Sequence, residues 1–510
     1  MFIKIASGAV LGVDGYIVDV EVDLSSGLPA FDIVGLPDSA VKESRERVRA
    51  AIRNTDYTFP VKRITVNLAP ADIRKSGPAF DLPIAVGILI CTAVLKEDVA
   101  KDAFFAGELS LDGAVRPVNG ILPMAIAAKA AGIHTFYVPA ENAQEAALVG
   151  DVTVHPIETL DALVEHFSKQ PVAPLDIDVK ELFGGNDDTY NVDFADVAGQ
   201  ALVKRALEVA AAGYHNALMI GPPGAGKTML ARRMPTILPD LSIEESMEIT
   251  KIYSIAGLLT QKSLLMTQRP FRTPHHTASY VSLAGGGRMP MPGEMSLAHN
   301  GVLFLDELPE FQKKALETMR QPLEDGHITV TRVGGVCTYP SVFLLLATMN
   351  PCPCGYMGSD RCTCTEGEIS RYLDKISGPL LDRIDIQVEA SAVAYDELAT
   401  KQKAAEDSAT IKERVENARA RQQKRFAGET AGIYFNAKMP ASLIEKHCTM
   451  GSHAQELLKM VFDSMSLSAR AYHKILKIAR SIADLADSAD ITEAHVAEAI
   501  SYRGLDRKYW

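Results

Sequence analysis

What this 510-residue chain lacks narrows it first. It has no apolar run long enough to cross a bilayer. The longest, Leu82 to Leu95, falls short of the roughly 20 residues a spanning helix needs, and it contains Pro83 and Gly87. That segment reads as buried core. A secretory core is also missing, because Asp14 interrupts the apolar residues that follow Lys4, so a cytoplasmic protein without a membrane partner is expected. There are no low-complexity tracts and no fixed-period repeats, which excludes repeat arrays. Nor is there an excess of positive charge: 52 Lys and Arg stand against 64 Asp and Glu, for a net charge of −12. Any nucleic-acid surface must therefore be a local basic patch. Apolar content of 47% and charged content of 23% are ordinary for a soluble chain, and the length suits about three domains.

Cysteine is scarce, with seven in all, yet Cys352, Cys354, Cys362 and Cys364 fall within thirteen residues. In a cytosolic protein such clustering points to metal and away from disulfides. Four thiolates fill a tetrahedral Zn²⁺ site and leave no position for water, so the zinc would be structural. The single-residue spacing departs from the commoner C-x₂₋₄-C, and a reduced, metal-free loop is the other reading.

Two strings dominate what is present. Ala217 to Ile220 is a short apolar run that reads as a buried strand. It leads into Gly221, Pro222, Pro223, Gly224, Ala225, Gly226, Lys227 and Thr228, which fit G-x-x-x-x-G-K-[ST], and Met229 to Arg233 continues as a helix. Glycines let the backbone curl until its N–H groups face phosphate oxygens, at a helix N-terminus whose dipole favours anions. Lys227 then reaches the β/γ-phosphates, and the Thr228 hydroxyl holds Mg²⁺. The second string, Val302 to Glu307, is an apolar strand ending in two carboxylates: Asp306 for the metal and Glu307 to polarise a water. Together the strings read as ATP hydrolysis.

Ser341 to Asn350 is a further strand, whose Asn350 either orients the attacking water or is an ordinary strand-end residue. Arg383, within Ser377 to Ile386, either reaches a neighbouring subunit's site or pairs locally with Asp382 or Asp385. Arg470, within Leu467 to Leu476, is a second guanidinium for the γ-phosphate or a solvated helical residue. A hairpin is expected between Asp325 and Ser341, turning at Gly334-Gly335. Upstream, strands and helices alternate to about Phe167, with a strand at Tyr16–Val22, a helix at Ala40–Thr55 and another strand at Arg63–Leu68. The expected division is one domain over 1–168, a polar linker over 169–191 and an ATPase core over 192–390 with the cysteine loop at 352–364. A helical region with a lid follows over 391–510.

Taken in order, these segments resemble the AAA+ family, and within it the magnesium-chelatase-like branch that shares features with the MCM helicases. The likeness is closer still to the bacterial ComM/YifB family. Arg272-Thr-Pro-His-His-Thr277, Pro292 to Leu308, Asn350-Pro-Cys-Pro-Cys-Gly355 and Ser468 to Leu485 carry it across nearly the whole chain. The resemblance implies an α/β protein with a P-loop αβα core and a C-terminal helical lid, using ATP and Mg²⁺. It implies a homo-oligomer, a hexamer, that drives DNA, single-stranded or branched, as a helicase or branch-migration factor in recombination or natural transformation. Glu307, Asn350, Arg383 and Arg470 would be catalytic. The hairpin would enter a central pore, with Arg332 and Arg288 toward the phosphate backbone. The alternative is a chelatase-type subunit that remodels a protein.

Lys75 to Asp81 and Gly107 to Gly120 make the N-terminal region similar to the proteolytic domain of Lon, an α+β fold of the ribosomal S5 type. The positions of the Ser–Lys dyad fall at Ala79 and Leu122, so a catalytically inactive platform is expected.

Overall fold

A computed structural model of the chain describes residues 1–175, 177–178, 182–183, 191–260, 264–287, 290–332, 335–391, 406–429, 434–465, 468–505 and 509. Strands β1 (Phe2–Leu11) and β2 (Asp14–Ser25) form an antiparallel hairpin, paired from Phe2↔Asp23 to Leu11↔Asp14. Alternation along β2 buries Val18, Val20, Val22 and Leu24 on one face. β3 (Ala30–Val34), β4 (Arg63–Ala69), β5 (Ala103–Phe105), the short pair β6 (Glu108–Leu109) and β7 (Val115–Arg116), β8 (Thr135–Pro139) and β9 (Thr153–Ile157) follow. All but β6 and β7 join one seven-stranded mixed sheet in the order β3-β4-β2-β1-β5-β8-β9. Helices Ser39–Asn54 and Asp81–Cys91 pack on one face, while Ile121–Ala130 and Ala140–Ala147 pack on the other. The apolar run beginning at Leu82 is the second of these helices, buried along nearly its whole length.

The central sheet is built from β10 (Ala217–Ile220), β11 (Phe271–Arg272), β14 (Val302–Leu305), β17 (Leu344–Met349) and β18 (Ile386–Glu389). Between them lie two hairpins, β12 (Gly285–Gly286) with β13 (Met291–Pro292) and β15 (His327–Arg332) with β16 (Gly335–Pro340). The five strands are all parallel, in the order β11-β14-β17-β10-β18. β10, β14 and β17 are buried at every position, as parallel strands covered on both faces must be. Because β17 lies between β10 and β14, three neighbouring strands deliver the glycine loop, Asp306–Glu307 and Asn350 to one edge. In open parallel sheets that carboxyl edge is where ligands bind.

Helices Ser408–Phe426, Ala441–His447, Ser452–Met465, Ala469–Leu485 and Glu493–Ser501 form the C-terminal region. One hydrophobic cluster runs from Phe194 through β10 and β17 to Ile411, Ile475 and Tyr502, so these helices share a core with the sheet. Exposed ion pairs such as Lys375–Glu310 contribute about 0–1 kcal/mol each, whereas each fully buried Ile or Leu contributes about 1.5–3 kcal/mol. The shared apolar core therefore fixes this arrangement. In the helical region expected over 391–510 the first helix, among the described residues, begins at Ser408, where Asp407 caps it through the Thr410 N–H.

The β15–β16 hairpin forms in the expected place, but Gly335, expected in the turn, is instead paired with Arg332 in the ladder; Gly334 lies outside the described residues. Ile328, Val330, Cys337 and Tyr339 face the core, and Val336 is exposed. The N-terminal domain docks beside this hairpin. A Cβ on Gly12, in the β1–β2 turn, would lie 3.2 Å from the Thr338 carbonyl oxygen. Nearby, buried Glu145 accepts hydrogen bonds from Leu122 N–H at 2.9 Å, Asn142 Nδ2 at 3.1 Å and Ser254 Oγ of the helix Ile243–Ile255 at 2.5 Å. Among the described residues no helix is long and apolar enough to cross a membrane.

Candidate active site

After β10 the chain turns through Gly224 and Gly226, both at φ +80°, and enters the helix Lys227–Ile237. Left-handed backbone of this kind favours glycine, and a Cβ at either position would meet nothing within 4 Å. The loop leads directly into the first amides of the helix Lys227–Ile237, an arrangement that fits a polyphosphate. Lys227 is nearly buried. Its Nζ donates to the Gly221 and Pro222 carbonyls at 2.6 and 2.9 Å and to Asn350 Oδ1 at 3.2 Å. Burial lowers the Lys227 pKa from its ordinary value, while Asp306 and Glu307 pull the other way. An ammonium desolvated like this gains from an incoming anion.

Thr228 Oγ1 donates to Asp306 Oδ2 at 2.9 Å, and Thr348 donates to the other Asp306 oxygen. The hydroxyl and carboxylate are oxygen donors of the kind Mg²⁺ takes. Glu307 sits at φ +56°, a conformation rare for a side chain of its size, with its N–H bonded to Thr348 Oγ1 at 3.2 Å. Its carboxylate is exposed and lies 4.0 Å from His276 Nδ1. Hence Lys227, Thr228, Asp306, Glu307 and Asn350 converge on one cleft.

Arg383 and Arg470 are elsewhere, but together. Arg383 follows the short helix Gly378–Leu381, and Arg470 lies in the first turn of Ala469–Leu485, which Ser468 caps. Glu324 holds both, with Oε1 at 2.6 Å from Arg383 and 3.4 Å from Arg470. Arg470 also approaches Asp382 at 3.8 Å. Neither local partner expected for Arg383 is used: Asp385 is engaged by Lys474 and His215 at 3.2 and 3.3 Å. A cavity of about 350 Å³ lined by Glu324, Arg383, Lys438, Arg470, Lys474 and Lys477, among others, opens here, and no residue of the 221–228 loop lines it. Of the two arginines proposed to face DNA, Arg288 lies outside the described residues. Arg332 is the last residue of β15, and its side chain is likewise outside the description.

The four loop cysteines are brought together, with all their sulfurs within 4.8 Å of one another, the one such group among the described residues. Cys352 to Cys354, Cys354 to Cys362 and Cys352 to Cys362 are 3.4, 3.7 and 3.9 Å apart. A tetrahedral centre with Zn–S bonds of about 2.3 Å requires sulfurs about 3.8 Å apart. Backbone groups of Thr363 and Tyr356 pull the Cys354 thiol down to about 6, while the neighbouring thiols push Cys362 and Cys364 up, and the Cys354 N–H reaches Cys364 Sγ at 3.4 Å. The donor set fits zinc.

Sequence reasoning missed three groups here. Thr348 had a usable signal, since it is a fully buried hydroxyl inside an otherwise apolar strand. His276 had a weaker one, as the second histidine after a short strand. Glu324 had none, because only folding brings it to Arg383 and Arg470.

Comparison with known proteins matches three family models: "Magnesium chelatase, subunit ChlI" over residues 193–398, "Subunit ChlI of Mg-chelatase" over 20–142, and the ChlI C-terminal model over 405–503. The chain is 42% identical to competence protein ComM of Haemophilus influenzae, over 98% of this chain and 97% of that protein. It is equally similar, at 42%, to YifB of Escherichia coli K12, over 98% of this chain and 96% of that protein. The N-terminal region carries a partial likeness to Lon protease of Brevibacillus choshinensis, 28% identical over 171 residues, or 31% of this chain and 22% of that protein.

Proposed function

We propose that this chain, which belongs to the ComM/YifB family of magnesium-chelatase-like AAA+ ATPases, is an ATP-driven motor acting on DNA, a hexameric helicase or branch-migration factor in recombination or natural transformation. The observation that carries the oligomeric part is the pairing of Arg383 with Arg470 on Glu324, apart from the cleft of Lys227. Guanidinium groups presented as a unit away from their own phosphate site suit the site of an adjacent subunit, and AAA+ proteins usually are oligomers. In this reading residues 221–228 bind ATP. Thr228 and Asp306 hold Mg²⁺, which neutralises charge on the phosphate oxygens. Glu307 accepts a proton from a water that Asn350 orients, and Lys227, with the neighbour's pair of arginines, stabilises the charge developing on the γ-phosphate.

The division into an inactive Lon-like domain (1–168), linker (169–191), ATPase core (192–390) and helical region with lid (391–510) belongs to the same proposal, as does zinc on Cys352, Cys354, Cys362 and Cys364. Ala79 and Leu122 are both buried apolar residues, which supports a platform without peptidase chemistry. DNA as the substrate is supported by the full-length likeness to a protein named for competence and by the β15–β16 hairpin, with Arg332 beside its turn. The match to chelatase subunits favours one alternative, a remodeller of a protein partner. ATP turnover with and without single-stranded or branched DNA, followed by a branch-migration assay, separates the two. DNA is expected to raise turnover and to be moved, with affinity falling steeply as salt rises. Indifference to DNA would transfer the proposal to the remodeller.

A further inference from the structure

The cysteine centre does not stand apart from the ATP cleft. The geometry points to a metal-operated clamp: zinc on the four thiolates holds Asn350 in its working position beside the phosphate loop, so zinc occupancy sets the rate of ATP turnover. This inference rests on the zinc assignment proposed above. Three contacts carry it. Asn350, whose Oδ1 is 3.2 Å from Lys227 Nζ, stands two residues before fully buried Cys352. Gly355, at φ +85°, lies against the phosphate loop, since a Cβ there would be 2.5 Å from Pro223 Cδ. The far end of the loop also returns to the site. Thr365 caps the helix Glu366–Leu373, and the Tyr372 hydroxyl on that helix meets the backbone of Asn350.

Between Met349 and Thr365 the chain has turns but no strand or helix. Among its described contacts the sulfur cluster is what draws Cys352 and Cys354 to Cys362 and Cys364, and a bound ion turns that proximity into a closed ring. Without the ion, four thiols bond weakly at best and the segment regains the freedom of an open loop. Lys227, Thr228 and Asp306 are placed by the helix Lys227–Ile237 and by β14, which do not depend on the loop. Loss of zinc should therefore spare ATP binding and slow the chemical step.

The test uses the full chain, freshly purified under reducing conditions, with metal counted. Zinc is then withdrawn with a mercurial thiol reagent and a chelator. The thiols are regenerated with dithiothreitol, and turnover is measured with excess Mg²⁺ before and after zinc is returned. The expected result is one zinc per chain and a fall in kcat of about tenfold on removal, with ATP affinity kept and turnover restored by zinc. Gly355→Ala probes the contact without touching a thiol, and is expected to keep its zinc while losing kcat. A wild-type kcat in either the stripped protein or Gly355→Ala overturns the clamp. A zinc content near zero in the fresh protein overturns the zinc assignment itself.

Discussion

At the scale of single residues the ATP cleft is defined by which hydrogen bonds are spoken for. Thr348 occupies one oxygen of Asp306 and the backbone N–H of Glu307, so one hydroxyl ties the Asp306 carboxylate to the Glu307 backbone, while the Glu307 carboxylate is left exposed. Glu307→Gln keeps that backbone and removes the basic oxygen. It should bind ATP with wild-type affinity and lose about 10²–10⁴-fold in kcat, read by single-turnover hydrolysis beside a fluorescent-nucleotide titration. A variant that still hydrolyses at the parental rate would leave Glu307 without a role. Most of this cleft is legible in the sequence, because phosphate contact demands an unbroken string of specific residues at 221–228 and the carboxylates follow a fully apolar strand. The shared grip of Glu324 on Arg383 and Arg470 is not legible, since it joins three segments spread over 146 residues.

At the scale of elements, the far edge of the N-terminal sheet carries a cluster in which Tyr137 on β8 stacks on His155 of β9, and His166 stands edge-on to both. His155 Nδ1–H donates to the Val172 carbonyl oxygen at 3.0 Å, and His166 Nδ1 accepts from the Val172 N–H at 2.9 Å. Burial lowers both imidazole pKa values from 6.5, and for His166 the charge of His155 adds to the effect. Groups whose folded pKa is depressed favour folding above the unfolded value, and that advantage drains away as pH falls below it. Melting temperature should therefore drop on moving from about pH 7.5 to about pH 5.5, and drop less in His155→Phe. Equal drops in parent and variant would remove the imidazoles from the account. Here the sequence is a poorer guide. β2 and β4 announce themselves by alternation, but β5 and β8 are short, mostly buried runs without a period, so sheet order cannot be read from them. Likewise, Gly335, a turn residue by its sequence, joins the ladder opposite Arg332.

At the scale of the whole molecule, the proposed catalytic centre is divided between subunits, and that division can be tested with two inactive proteins. Lys227→Ala removes the phosphate contact, and Arg383→Ala removes a guanidinium whose loss from such sites costs about 10³–10⁵ in rate. Mixed in equal amounts, they should regain part of the parental turnover. Some interfaces would then pair an intact loop from one protomer with an intact arginine from the other. A mixture as inactive as its components would dismiss the shared centre. The architecture also bears on how force would be transmitted. The turn at Gly12 rests on the Thr338 backbone, which pairs with Thr329 partway along the β15–β16 arm. An arm braced partway along its length cannot slide bodily along its own axis; under the proposed motor it would pivot about that brace or drag the first sheet with it, which would make the Lon-like sheet a fulcrum.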